Sequence, residues 1–161
     1  MKFSEMSKEL QEVAIAYTKN RFNQYTQEIA HWGEDSIKYL LLGNAGSAAA
    51  ALSFMGSSEN VRALLGPKLA LGFFIIGIIF VGLLLVRLLY GAREWHTGLS
   101  QDAHKFYMLD EMDWDTLYNK DQKRSGPIKC ADCFAWSAAI SLLVGLAIGF
   151  VTLLTYTPPH T

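Results

Sequence analysis

The sequence predicts an all-α integral membrane protein: three transmembrane helices, an N-terminal amphipathic helix, and a cytoplasmic helical segment between the second and third spans. Three observations predict it. Apolar residues make up 51% of the 161 against 18% charged, with a mean hydropathy of +0.17. Charge and hydrophobicity are segregated along the chain, leaving long apolar stretches almost free of charge. The basic residues then fall on one side of the spans those stretches imply.

The chain divides at 35/36, 91/92 and 130/131. Residues 1–35 form the amphipathic segment, with apolar residues at Phe3, Met6, Leu10, Val13, Tyr17, Tyr25, Ile29 and Trp32. That three-and-four spacing predicts one long helix, with Ser4 as its N-cap. The first twenty residues hold no hydrophobic run of a signal peptide, so insertion is expected to use internal segments.

Residues 36–91 are a transmembrane hairpin. Its first span, Tyr39 to Met55 (YLLLGNAGSAAAALSFM), covers about 25 Å and is the weakest in apolarity, interrupted by Asn44 and Ser47; the alternative for it is a re-entrant or interfacial segment. The second, Leu69 to Leu89, is apolar except for Arg87 and reaches about 31 Å. Gly56 to Lys68 reads as a short loop closed by Gly-Pro. Beyond the second span the helix is expected to run to about His96 and break at Gly98. Ser100 would then cap another helix towards Tyr118, and DQKRSGP reads as a linker. Residues 131–161 hold the third span, Phe134 to Tyr156, with no charged residue, and a short outer tail.

Three spans with a cytoplasmic N-terminus put twelve of the 14 basic residues inside, leaving Arg62 and Lys68 outside. Without the first span the same residues split evenly. Trp32, Tyr39, Tyr90, Trp95, Phe134 and Trp136 flank the cytoplasmic ends as an aromatic belt would, and Tyr156 marks the outer end of the last. The expected location is therefore the inner (cytoplasmic) membrane, multi-pass, with the C-terminus outside.

Candidate functional residues begin in the first span. Gly43, Gly46 and the four alanines after Ser47 let backbones approach closely, and Asn44 and Ser47 share a face. An asparagine facing lipid is costly, so it should face protein or water. Two readings stay open: helix packing within a subunit, or the lining of a pore in an oligomer. Gly145 and Gly149 form a GxxxG packing motif.

Arg93, His96, Lys105, Lys120, Lys123 and Arg124 could assemble an anionic-ligand site, although lipid headgroups are the plainer partner. The run Asp110, Glu111, Asp113 and Asp115 reads as a solvated helix face, lacking the glycine and terminal glutamate of a calcium loop. Cys130 and Cys133 form a lone CxxC, for which His31, His96 or His104 would have to complete any zinc site. No metal, cofactor or catalytic residue is expected. No hydrolase, zinc-protease, P-loop or dinucleotide fingerprint appears, and a net charge of −1 gives no basis for DNA binding.

The piece LLLGNAGSAAAALSFMG, followed by a short loop and a Leu/Ile/Phe span, resembles the small membrane effectors of bacterial anti-phage defence, SLATT-type two-span proteins among them. The likeness covers about residues 1–96, and the third span departs from the two-span pattern. It implies a non-enzymatic homo-oligomer that permeabilises the inner membrane as a gated pore when a nucleotide or protein trigger arrives. The alternative is a non-conducting membrane anchor or accessory subunit that recruits a cytoplasmic partner.

Overall fold

The computed structural model describes residues 1–57, 59–124 and 130–155, with the side chains at 28–33 and 36 outside that description. Among the described residues every element is helical. A 3-10 turn at Phe3–Glu5 precedes α1 (Lys8–Gly56), α2 (Glu59–Ala63), α3 (Leu65–Tyr107), α4 (Trp114–Arg124) and α5 (Ala131–Thr155). The chain forms two compact units: a head of Met1–Glu34 with Arg87–Lys129, and a second unit of Asp35–Val86 with Cys130–Thr161. The long helices α1 and α3 contribute residues to both.

Several helix ends differ from the sequence expectation. The first α-helix starts at Lys8, with the Ser7 hydroxyl accepting from the Leu10 amide at 3.4 Å. Ser4 is instead engaged with Asp110, donating its hydroxyl at 2.6 Å. Nor does the helix through the second apolar stretch stop near His96: α3 runs through Gly98 and Ser100 to Tyr107. The Arg124 side chain lies against Gly98, and a Cβ there would meet Arg124 Nε at 2.9 Å. Gly66 and Pro67 belong to the first turn of α3, where proline costs no hydrogen bond. The acidic run is a connection rather than a helix face. Asp110 turns the chain in the left-handed region (φ 51), Asp113 pairs with the N-terminus, and only Asp115 lies within α4.

The head packs Ala14, Phe106, Met112 and Leu117, flanked by Phe3, Met6, Tyr107 and Trp114. Of the expected inward residues of α1, Tyr25 is buried and Tyr17 half-buried, whereas Leu10 and Val13 are exposed and Ala14 and Thr18 are buried in their place. Trp95, read above as interfacial, packs its ring on Tyr25 at 5.2 Å.

In the second unit Ala48, Ala70 and Phe74 form the core with Ala51, Leu71, Leu142 and Ile148. Among the described residues two helices, α3 and α5, are long and apolar enough to cross a membrane, with 28% and 17% of their apolar windows buried. Ile75, Ile79, Leu83, Leu143, Phe150 and Leu154 all point outward. The expectations for His31, Trp32, Lys129, the Ser125–Pro127 part of the linker, and Tyr156 lie outside the described residues.

Candidate functional site

The second unit is organised around Asn44. Its side chain is 0% exposed. The amide nitrogen donates to Leu40 O at 2.9 Å within α1, and to Ala138 O of α5 at 3.5 Å. On the other side the amide lies against Gly77 of α3, where a Cβ would collide with Oδ1. The absence of a side chain at Gly77 is therefore what admits Asn44. Among the described residues Oδ1 meets no hydrogen-bond donor. A buried carbonyl without a donor costs about 1–3 kcal/mol, which close Cα–H contact offsets only in part.

The other small residues do different jobs. Gly43 packs on Leu142, whose Cδ2 would lie 3.0 Å from a Cβ, whereas Gly46 faces open space. Gly145 lies under the Phe74 ring, at 2.5 Å from a Cβ to Cε1. Gly149, its partner in the GxxxG motif, meets nothing within 4 Å. Ser47 and Gly149 both line a cavity of about 390 Å³.

The head is tied together by two buried carboxylates that sequence reading passed over. Asp121 of α4 is 0% exposed and accepts from Tyr25 at 2.5 Å, Tyr17 at 2.7 Å and Arg21 Nε at 2.7 Å, all from α1. Burial opposes its ionisation, but these three hydrogen bonds and the Arg21 charge outweigh it and hold its pKa below the usual carboxylate range. Burial and the same carboxylate push Tyr17 up to about 12, and Tyr25 is raised further. Asp102 of α3, also buried, receives Arg124 in a close ion pair and Lys120 at 3.4 Å. Helix α4 thus gives an acid to α1 and two cations to an acid of α3. The signal was present in part: Tyr17, Arg21 and Tyr25 recur every four residues, one stripe of a helix.

That arrangement bears on the anion-site candidates. Lys120 and Arg124 are engaged with Asp102, while Arg93, His96, Lys105 and Lys123 are exposed. His96 makes a ring contact with Phe22 at 5.1 Å. Along α3, Arg93 and Lys105 stand about 18 Å apart, too far for one small anion to touch both. Cys130 and Cys133 are free and exposed at the start of α5, and no group of three metal-ligating side chains occurs among the described residues.

No protein-family model, curated protein or solved structure matches the chain.

Proposed function

We propose that this is a multi-pass membrane protein that acts as an anchor, holding a helical docking head at the cytoplasmic face of the bilayer. Helices α3 and α5 are two spans, their outward Ile, Leu and Phe side chains solvated by lipid. Tyr39–Met55 of α1 is the third. Its support is that Asn44 meets Gly77 and Ala138, both inside the apolar stretches of α3 and α5. Charge placement supports the orientation, with Arg62 and Lys68 alone outside. The head offers a partner Val13, 60% exposed, and a groove lined by Phe3, Ile15, Phe22 and Met108.

The observation that favours an anchor over a pore is the burial of Asn44. A pore-lining amide must face water, and this one faces the helices of its own chain. The test is membrane potential, read by dye in bacterial cells making the chain or its Asn44→Leu variant at equal membrane abundance. An anchor leaves the potential unchanged in both. Depolarisation by the native chain, abolished by the substitution, overturns it. Impermeant maleimide tests the orientation: Cys130 and Cys133 should react only after the membrane is opened.

A second reading is a gated oligomeric pore of the bacterial defence-effector type, opened by a nucleotide or protein trigger. It draws on the unpartnered Asn44 Oδ1, whose cost a rearranged oligomer would relieve. Depolarisation by the native chain favours the pore; an unchanged potential excludes only a pore that is open without its trigger.

A further inference from the structure

We infer that Cys130 and Cys133 form a two-coordinate site for one soft monovalent cation, of which Cu(I) is the biological example, at the N-terminus of α5. The site stands independently of the anchor reading and gives the chain a ligand of its own.

The two cysteines begin the helix together. Phe134 N donates to Cys130 O at 3.2 Å, which makes Cys130 the N-cap of α5 and Cys133 its third helical residue. Those are the two positions whose side chains flank one turn, as they do in a capping box. Both thiols are free and exposed. Cys130 turns the chain in the left-handed region (φ 69), where glycine is the easier residue, so a thiol stands there against the preference of the backbone. At about 2.3 Å for each metal–sulfur bond, two sulfurs on opposite sides of an ion stand about 4.6 Å apart. Side chains three residues apart at a helix end, with Cβ atoms about 5–6 Å apart, span that distance.

Ligand number chooses the metal. No group of three His, Cys, Asp or Glu side chains occurs among the described residues, and the linker Ser125–Lys129 contains none of those residue types. This turn therefore offers two soft ligands and no third. Structural zinc and iron–sulfur clusters are held by four. Cu(I), which soft thiolates select, is satisfied by two. Binding releases both thiol protons to water and leaves a bis-thiolate complex of net charge −1. The first N–H groups of a 25-residue helix have no partner within it, and with the helix dipole they favour that anion. Asp132, exposed on the same turn, opposes it through a charge that water and salt screen.

The test is anaerobic titration of the reduced full chain, in detergent, against Cu(I) held by the chromogenic chelator bicinchoninate. The chain should withdraw one Cu(I), and X-ray absorption should show two sulfur neighbours and no further ligand. Cys130→Ser and Cys133→Ser, each a one-atom change at an exposed position, should weaken binding at least about a hundredfold, the upper range for losing a mere outer-shell partner. Helicity by circular dichroism should stay unchanged, and the double variant should not bind. On the native chain, bound Cu(I) should protect both thiols from maleimide, which decides the matter should a variant misfold. Failure to withdraw copper, a serine variant that retains it, or thiols that copper leaves reactive overturns the inference. So does one Cu(I) shared by two chains in native mass spectrometry, or a third sulfur neighbour, either of which would make the cysteines an interface between copies.

Discussion

Removing the Asp121 carboxylate should loosen α4 from the head without dissolving the rest of the chain. In Asp121→Ala, the Tyr17 and Tyr25 hydroxyls lose their acceptor and the Arg21 guanidinium loses its counter-charge. Breaking one side of a buried ion pair costs about 3–5 kcal/mol. Arg21 keeps 14% side-chain exposure, so water recovers part of that and the lower end applies. With tenfold for every 1.4 kcal/mol, amide exchange in residues 114–124 should accelerate at least about a hundredfold. The assay is hydrogen-exchange mass spectrometry of the full chain in detergent, following that peptide against one from α5. Asp121→Asn keeps an acceptor but not the charge and should fall between. Exposed Asn119→Ala, in the same helix, should change exchange less than about threefold. If Asp121→Ala behaves like Asn119→Ala, the carboxylate does not hold α4 and the account of the head is wrong.

Other outcomes follow from the same geometry. The depressed pKa of Asp121 gives the head stability that is fully present above the unfolded carboxylate value of about 3.9 and lost as pH falls through the lower folded value. Tyr17 and Tyr25 act with the opposite sign: their contribution is intact below about pH 10 and is lost as pH rises through their elevated values, about 12 for Tyr17. Exchange in residues 114–124 should therefore be flat from about pH 5 to 9, once corrected for its intrinsic pH dependence, and rise on both sides. Gly145→Ala should destabilise the second unit by about 1–3 kcal/mol through collision with Phe74, whereas Gly149→Ala should be tolerated, as thermal unfolding in detergent would reveal. Gly77→Ala should be similarly damaging alone, and combining it with Asn44→Ala should restore most of the loss; failure of that rescue would mean the two residues do not share one space.

Much of the helical layout was legible because apolar runs are local information. Phe134–Tyr156 was read from the absence of charge, and the helix found there is Ala131–Thr155. What sequence could not supply was any feature set by a distant residue. Gly98 reads as a breaker until Arg124 is known to lie over it, and Ser4 reads as a cap until Asp110 is brought to it across 106 positions. The buried face of α1 was read only in part: Tyr25 was placed on it, but Leu10 and Val13, the more apolar choices, give way to small Ala14 and bonding Thr18, which meet partners on α3 and α4. Asn44 and Ser47 stand out in an apolar run, yet the sequence held no means of deciding between water and Gly77 as the neighbour of Asn44. That choice depended on a glycine 33 positions away in another helix.

The pairing of Asn44 with Ala138 also carries a time. The two residues are separated by 94 positions, and at roughly 5–20 residues per second the ribosome needs about 5–20 s to make the second after the first. Throughout that interval the amide of the nascent chain has Leu40 O in its own helix but lacks the second acceptor that α5 will bring. A message cut short before α5 would leave that amide with Leu40 O as its one acceptor and the α5 side of its pocket unfilled.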